Sequence, residues 1–429
     1  MNSTAIQWVE NTRLGEKYAK VVHPSGLTVF VFPKKMSTSY ALFATKYGSL
    51  DRTFKQGEEP FTTVPDGIAH FLEHKLFEEE DGSDVFAKFA TLGANANAYT
   101  SNEMTAYLFS ATENVKEALT VLLDFVTHPY FTEKNVQKEQ GIIGQEIGMY
   151  DDNPHTRLYY ALLEGLYKKH NVRINIAGTV ETISHITPEL LYRCYHTFYH
   201  PSNMALSVCG NITVEEVLEV VNAAIPADTQ PIAISRSYPE EDAEIEREET
   251  VLKMAVATPL FAFGVKDLET FRTAEDKLRH AVCMDLLNDL MFADSSDFYN
   301  QLYDKGLISS FSAEYEWMDS CAFNVIIGES ENPEAVWEEL CAYLEEMQRK
   351  APSKEDFERL KRSMYADYIR SFESTESIAS EVLYNAFHGL DFLQIGEVIL
   401  SVTYEDIVAL AKSYYTDKHF ARAIVLPND

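Results

Sequence analysis

Cysteine is scarce and scattered. The five present (Cys194, Cys209, Cys283, Cys321 and Cys341, in 429 residues) form no close pair, and their number is odd. That argues against a disulfide framework and a thiolate metal centre, and leaves reduced residues of a core. Positive charge is also short, with 36 Lys+Arg against 67 Asp+Glu and a formal net charge of -31. Nucleic acid and anionic membrane both want a basic face, so neither is expected as a partner. The acid excess has two readings, attraction for basic peptides or plain solubility. No apolar run reaches 18 residues, and the opening "MNSTAIQWVENTRLGEKYAK" lacks the charged start, apolar stretch and cleavage site of a secretory signal. A soluble cytoplasmic protein is expected.

What is present points to a duplicated architecture. The length exceeds what one hydrophobic core usually organises. Two distant segments read alike: "TPELLYRCYHTFYHPSNMALSVCGNI" from Thr187 and "TYEDIVALAKSYYTDKHFARAIVLPN" from Thr403. Each opens on a Thr N-cap with an acidic first turn, runs as a helix to paired aromatics (Phe198-Tyr199, Tyr414-Tyr415) and enters an apolar strand. Thr187 and Thr403 are 216 positions apart, as are Tyr199 and Tyr415, which predicts two homologous domains in tandem. Between them, "PADTQPIAISRSYPEEDAEIEREET" from Pro226 carries three prolines, eight acids and two arginines. The expectation is an N-terminal domain over 1–228, a solvated acidic linker over 229–243, and a C-terminal domain over 244–429. Strands such as "GLTVFVFPKK" and "SYALFATKYGS" alternate with long helical stretches, which predicts an α+β fold with helices packed on a mostly antiparallel sheet.

The chemistry concentrates in "PDGIAHFLEHKLFEEEDGSD", which starts at Pro65. Asp66 can cap a helix whose buried face is Ile68, Phe71, Leu72, Leu76 and Phe77. His70 and His74 then lie one turn apart with Glu73 beside them. Two such imidazoles can share one zinc ion and the carboxylate can take a proton from water, although histidine pairs on helices also occur simply in solvent. A catalytic zinc needs a third protein ligand. The segment "TEKNVQKEQGIIGQEIGMYDDNP" from Thr132 offers one: Glu139 and Glu146 are two turns apart on one face, while Val136, Ile142, Ile143 and Ile147 supply an apolar face. On the metal reading Glu146 is the ligand and Glu139 an outer acceptor that orients a histidine. On the plain reading both belong to a solvated acidic stripe.

The motifs "GIAHFLEHKLF", "LGANANAYTSNEMTAYLF", "EKNVQKEQGIIGQEI" and "YHPSNMALSVCGNI", in that order over most of the first 215 residues, resemble the pitrilysin/insulinase family of zinc peptidases. The family includes the two-subunit mitochondrial processing peptidase. The resemblance implies one zinc per chain on His70, His74 and Glu146, with Glu73 as catalytic base and Glu139 in support. It implies a second domain without metal, and no H-x-x-E-H occurs in the second half. It also implies that peptide adds as a strand along "NANAYTS", with main-chain bonds to Asn97, Ala98 and Tyr99. Read alone, that stretch would pass as a hairpin or loop. Glu78, Glu79, Glu80 and Asp81 either line the site and favour basic substrates or form a solvated loop.

One feature departs from the family. Active members present an arginine and a tyrosine in a stretch like "LREKGLAYS", where this chain has "LYDKGLISS", placing Tyr303 and Ser309 at those positions. A cation and a donor able to stabilise a tetrahedral intermediate are thus absent. Three arrangements follow. The chain is the metal-bearing subunit of a heterodimer whose non-catalytic homologue supplies the clamp; or it is a single-chain or homodimeric peptidase using Tyr299, Tyr303 or Tyr315; or it is a zinc-stabilised peptide-binding subunit.

Overall fold

The computed structural model describes residues 5–416 and 419–428. Helices used below are, in chain order, α1 (Ile68–Leu76), α2 (Glu133–Asp152), α3 (Pro154–Leu166), α4 (Pro188–Phe198), α5 (Ala274–Phe292), α6 (Asp297–Asp304), α7 (Thr375–Phe387) and α8 (Tyr404–Ser413). None of the described helices is long and apolar enough to cross a membrane.

A seven-stranded sheet organises the first unit. Its strands are β1 (Ile6–Asn11), β2 (Glu16–Val22), β3 (Thr28–Pro33), β4 (Ser39–Thr45), β5 (Asn95–Thr100), β6 (Thr105–Ala111) and β7 (Met204–Gly210). In space they run β1-β2-β3-β7-β4-β6-β5, and only the β3–β7 pair is parallel. The central strands "SYALFAT" and "MALSVCG" are buried along their whole length, as continuous apolar runs require when both sheet faces are covered. Phe43, Phe71 and Phe109 are fully buried, each worth about 1.5–3 kcal/mol relative to exposure. β5 is an edge strand, and its pairing of Ala98 with Tyr107 fixes which side chains share a face.

A second sheet organises the other unit, with β8 (Glu249–Met254), β9 (Leu260–Asp267), β10 (Ser310–Trp317), β11 (Ala322–Glu329) and β12 (Ala421–Pro427) in the order β8-β12-β9-β11-β10. Again one pair, β8–β12, is parallel and the others antiparallel. The repeat seen in the sequence is a repeat of structure. Thr187 caps α4, which leads to β7, and Thr403 caps α8, which precedes β12. The tyrosines that match across the repeat are both buried and bonded: Tyr199 Oη pairs with Tyr107 Oη at 2.8 Å, and Tyr415 Oη accepts from Asn324 Nδ2 at 2.8 Å.

The compact units cut across the linear division at 229–243. Unit 1 takes the chain to Ile147, then Asn175–Tyr238 and Arg370–Gln394; unit 2 takes Gly148–Ile174, Pro239–Ile369 and Ile395 onward. Each half thus lends a helix to the other unit. α7 lies on β3, β4 and β7, and α3 lies on β8, β9 and β12. The α3–β9 approach is close at Gly264, where a Cβ would stand 3.0 Å from the tips of Leu162 and Leu166 and would push them aside by a few tenths of an ångström.

Part of the expected solvated linker is structured. Ile234–Arg236 pairs antiparallel with Thr53–Gln56. Arg236 Nε lies 2.9 Å from the buried Asp51, which also accepts from Tyr238 Oη and the Gly48 amide. Farther on, Glu241 accepts the amides of Lys168, Lys169 and His170 and the Lys266 ammonium, all at 2.9 Å. Composition suggested solvent for this segment; specific carboxylate and guanidinium partners distant in sequence override it.

Candidate metal centre

α1 begins differently from the expectation. Its N-cap is Gly67 at φ 89°, with no side-chain cap, and Asp66 instead pairs with Arg52 at 2.6 Å. Glycine is required there on two counts. The backbone is left-handed, and a Cβ would stand 2.4 Å from the Ala177 carbonyl oxygen. The rest of the helix follows its periodicity, with Ile68, Phe71, Leu72 and Leu76 buried. α2 is entered through reciprocal bonds, Thr132 N to Asn135 Oδ1 at 2.8 Å and Asn135 N to Thr132 Oγ1 at 3.2 Å. It packs through Val136, Ile143 and Ile147, whereas Ile142, expected on the same face, is 44 % exposed.

These two helices bring His70, His74 and Glu146 together, with one potential ligand atom of each lying within 4.8 Å of the others. The imidazole rings are 4.6 Å apart. His70 Nε2 is 3.6 Å from Glu146 Oε1 and His74 Nε2 is 3.5 Å from Glu146 Oε2. On the far side of His74, Nδ1 lies 3.2 Å from Glu139 Oε1. A proton on Nδ1 donated to that carboxylate leaves the Nε2 lone pair facing Glu146, the arrangement metal-binding histidines adopt. His70 Nδ1 is buried with no hydrogen-bond partner among the described residues.

The electrostatics suit a cation. Burial, and after it the neighbouring His74, lower His70 to about 4, so its ring is neutral at neutral pH. For His74 burial also acts to lower, but the Glu139 hydrogen bond and the charges of Glu73, Glu139 and Glu146 outweigh it and raise the group. Glu139 is pushed up by burial but held lower on balance by His74 and Lys75. Glu73, Glu139 and Glu146 all act on His74 to raise it, so negative charge gathers around the two imidazoles. Two imidazole nitrogens and a carboxylate are a common catalytic zinc set that leaves a position open, so the residues present fit the metal.

Glu73 is buried, and its Oε2 accepts a 2.6 Å hydrogen bond from Thr100 Oγ1 on the edge strand β5. Burial raises its carboxyl; the Thr100 bond partly opposes this. Thr105 Oγ1 donates to the Tyr47 carbonyl at 2.9 Å, and Thr100 is left free to donate to Glu73. Asn97, Ala98 and Tyr99 lie on the same edge strand, beside α1, and the Ala98 amide is bonded to Asn97 Oδ1 at 2.9 Å.

Most of the acidic run after α1 is engaged locally. Glu78 bonds Lys75 and lies 3.6 Å from Lys138, Glu79 bonds Lys88 at 2.6 Å, and Asp81 accepts the Ser83 amide at 2.8 Å. In unit 2, Tyr303 is 60 % exposed on α6 with its ring parallel to Tyr299, and exposed Ser309 Oγ lies 3.4 Å from Glu329 Oε2. Tyr315 is less available, since its hydroxyl donates to Asp267 at 3.1 Å. Sequence reasoning missed Thr100 and Lys75. Only an apolar periodicity that placed a lysine between His74 and Leu76 could have flagged the second.

Residues 62–180 match the family model described as insulinase (peptidase family M16), and residues 185–364 match that of the peptidase M16 inactive domain. The uncharacterized zinc protease YmfH of Bacillus subtilis is 42% identical over 412 residues, covering 94% of this chain and 95% of that protein. The probable mitochondrial-processing peptidase subunit beta of Arabidopsis thaliana is 31% identical over 159 residues, 36% of this chain and 30% of that one. Among solved structures, an M16-like peptidase from Alicyclobacillus acidocaldarius superposes with a TM-score of 0.90 at 33% identity, over 100% of this chain and 99% of the other. The chain therefore belongs to the insulinase family of M16 peptidases, and its relatives include proteins named as zinc proteases.

Proposed function

We propose that this protein is a zinc-dependent endopeptidase for unfolded or small peptides, acting as the metal-bearing subunit of a heterodimer. The observation that carries the reading is the convergence of His70, His74 and Glu146, with the buried Glu73 one helical position from His74. His70, His74 and Glu146 hold one zinc, which when bound supplies Lewis-acid chemistry that makes water acidic and polarises a carbonyl. Glu73, oriented by Thr100, takes the water's proton and passes it to the leaving amine. The edge strand through Asn97, Ala98 and Tyr99 binds the peptide backbone, so affinity depends little on side chains and the substrate must be extended.

The heterodimer rests on Tyr303 and Ser309, which stand where the resemblance implies an arginine and a tyrosine, so the cation of that pair is missing from this chain. A homologous partner without metal supplies them, as the name "subunit" of the mitochondrial relative suggests by analogy. The alternative, a single-chain or homodimeric enzyme, has Tyr299 and Tyr303 as its accessible hydroxyls. A zinc-stabilised peptide-binding subunit would have no use for a buried carboxylate such as Glu73. Metal analysis and peptide hydrolysis by the chain alone, and with its homologue added, test the reading. One zinc per chain with turnover only in the mixture is expected. Brisk turnover by the chain alone overturns the heterodimer, and turnover that survives complete metal removal overturns the peptidase mechanism.

A further inference from the structure

Lys75 follows the second histidine on α1 and is fully buried, with 0 % of its surface exposed. Lysine almost never occupies such a position unpaired, because the ammonium loses its hydration. Its partners are Glu78, one turn on, and Glu139 across the interface with α2, whose Oε2 lies 3.6 Å from Nζ. Glu78 gives Lys75 one carboxylate oxygen, and Lys138 lies 3.6 Å from the other. What the buried position adds is a positive charge against Glu139. Burial works against the ionised form of that carboxylate, and the Lys75 charge, beside the His74 bond, opposes this.

We propose that Lys75 is a positioning residue for the metal centre, fixing Glu139 so that its other oxygen, 3.2 Å from His74 Nδ1, holds the imidazole with Nε2 toward the metal. This rests on the zinc reading above. The line runs Glu78, Lys75, Glu139, His74: each oxygen of Glu139 has one partner, a cation on one side and a ring N–H on the other. Remove the cation and the orientation of Glu139 depends on His74 alone. The ring then loses a fixed acceptor, and outer partners of this kind are worth roughly 10- to 100-fold in metal affinity.

The test is zinc affinity of the full chain, measured by competition with a chelating indicator for wild type, Lys75→Met, Lys75→Gln, Glu139→Gln and the Lys75→Met/Glu139→Gln double variant. The expected result is a roughly 10- to 100-fold loss in each single variant. The double variant should bind no more weakly than Glu139→Gln, because the two residues act in series. Cobalt-substituted Lys75→Met should show a visible spectrum displaced from wild type. Unchanged zinc affinity in Lys75→Met and Lys75→Gln overturns the proposal even if metal-free thermal unfolding shows lost stability, since Lys75 is then structural only. Losses that multiply in the double variant overturn it too. His74→Ala separates the two levels. If that variant also keeps wild-type affinity, the zinc reading itself fails; if it loses zinc while Lys75→Met does not, only the role of Lys75 fails.

Discussion

Replacing Glu73 by glutamine should move activity and stability in opposite directions. The amide has the carboxylate's shape, and its oxygen can still accept the 2.6 Å bond from Thr100 Oγ1, so the local packing survives. It cannot take a proton from water. Positioned general acid–base groups contribute about 10²–10⁴-fold, so kcat/KM in the complete assembly should fall by that factor, about 3–5 kcal/mol of transition-state stabilisation. Zinc content and peptide binding should not change. Stability follows a separate sign. Burial raises the Glu73 carboxyl above its usual value, so in metal-free protein the folded state binds the proton more tightly than the unfolded state. The wild type therefore loses stability as pH rises from the ordinary carboxyl range toward the folded value, and the neutral amide does not. Metal-free Glu73→Gln should melt higher than wild type at pH 8, with the gap closing at pH 4. Peptide turnover within tenfold of wild type would refute the base assignment, and a lower melting point at pH 8 would refute the reasoning about burial.

Three further perturbations probe separate parts of the structure. Thr100→Val removes the donor that opposes burial at Glu73, so the acid limb of the pH–rate profile should move to higher pH, with Thr100→Ser restoring it; an unmoved limb in the valine variant contradicts the contact. Gly67→Ala forces a Cβ to 2.4 Å from Ala177 O at φ 89° and should cost about 2–4 kcal/mol in chemical denaturation, weakening zinc binding with it because α1 carries both histidines. Glu241, lowered to about 2 as its three amide bonds and Lys266 overcome burial, contributes stability that is present above about pH 4.5 and lost as pH falls toward 2. Glu241→Gln should therefore melt below wild type at pH 7 and match it near pH 2.

The parts legible in the sequence were those whose partners lie within a turn or two, or whose pattern repeats. His70, Glu73 and His74 share a face by helical spacing, Glu139 and Glu146 do so across two turns, and the Thr187 and Thr403 segments reveal the duplication because the same helix-to-strand corner is built twice. The mature pattern of "NANAYTS" needed a family resemblance, since small alternating residues fit a loop as well as an edge strand. What was illegible depends on distant partners. The exchange of α3 and α7 between units is set by which sheet face each apolar helix finds, and Ile234–Arg236 becomes a strand because Thr53–Gln56 and Asp51 wait for it. Asp66 looked like a cap, yet Arg52 claims it. The acids after α1 looked free, yet Lys75, Lys88 and Lys138 occupy Glu78 and Glu79. Charge composition cannot foresee such pairings, because they follow from the fold.

The central claim, that His70, His74 and Glu146 bind one zinc ion, is tested most directly by anomalous diffraction at the zinc edge on crystals of the intact chain. The account predicts a single strong peak bounded by His70 Nε2, His74 Nε2 and a Glu146 oxygen, with metal–ligand distances of about 2.0–2.2 Å. A peak elsewhere, or zinc retained at full occupancy after His70 and His74 are both replaced by alanine, would contradict it.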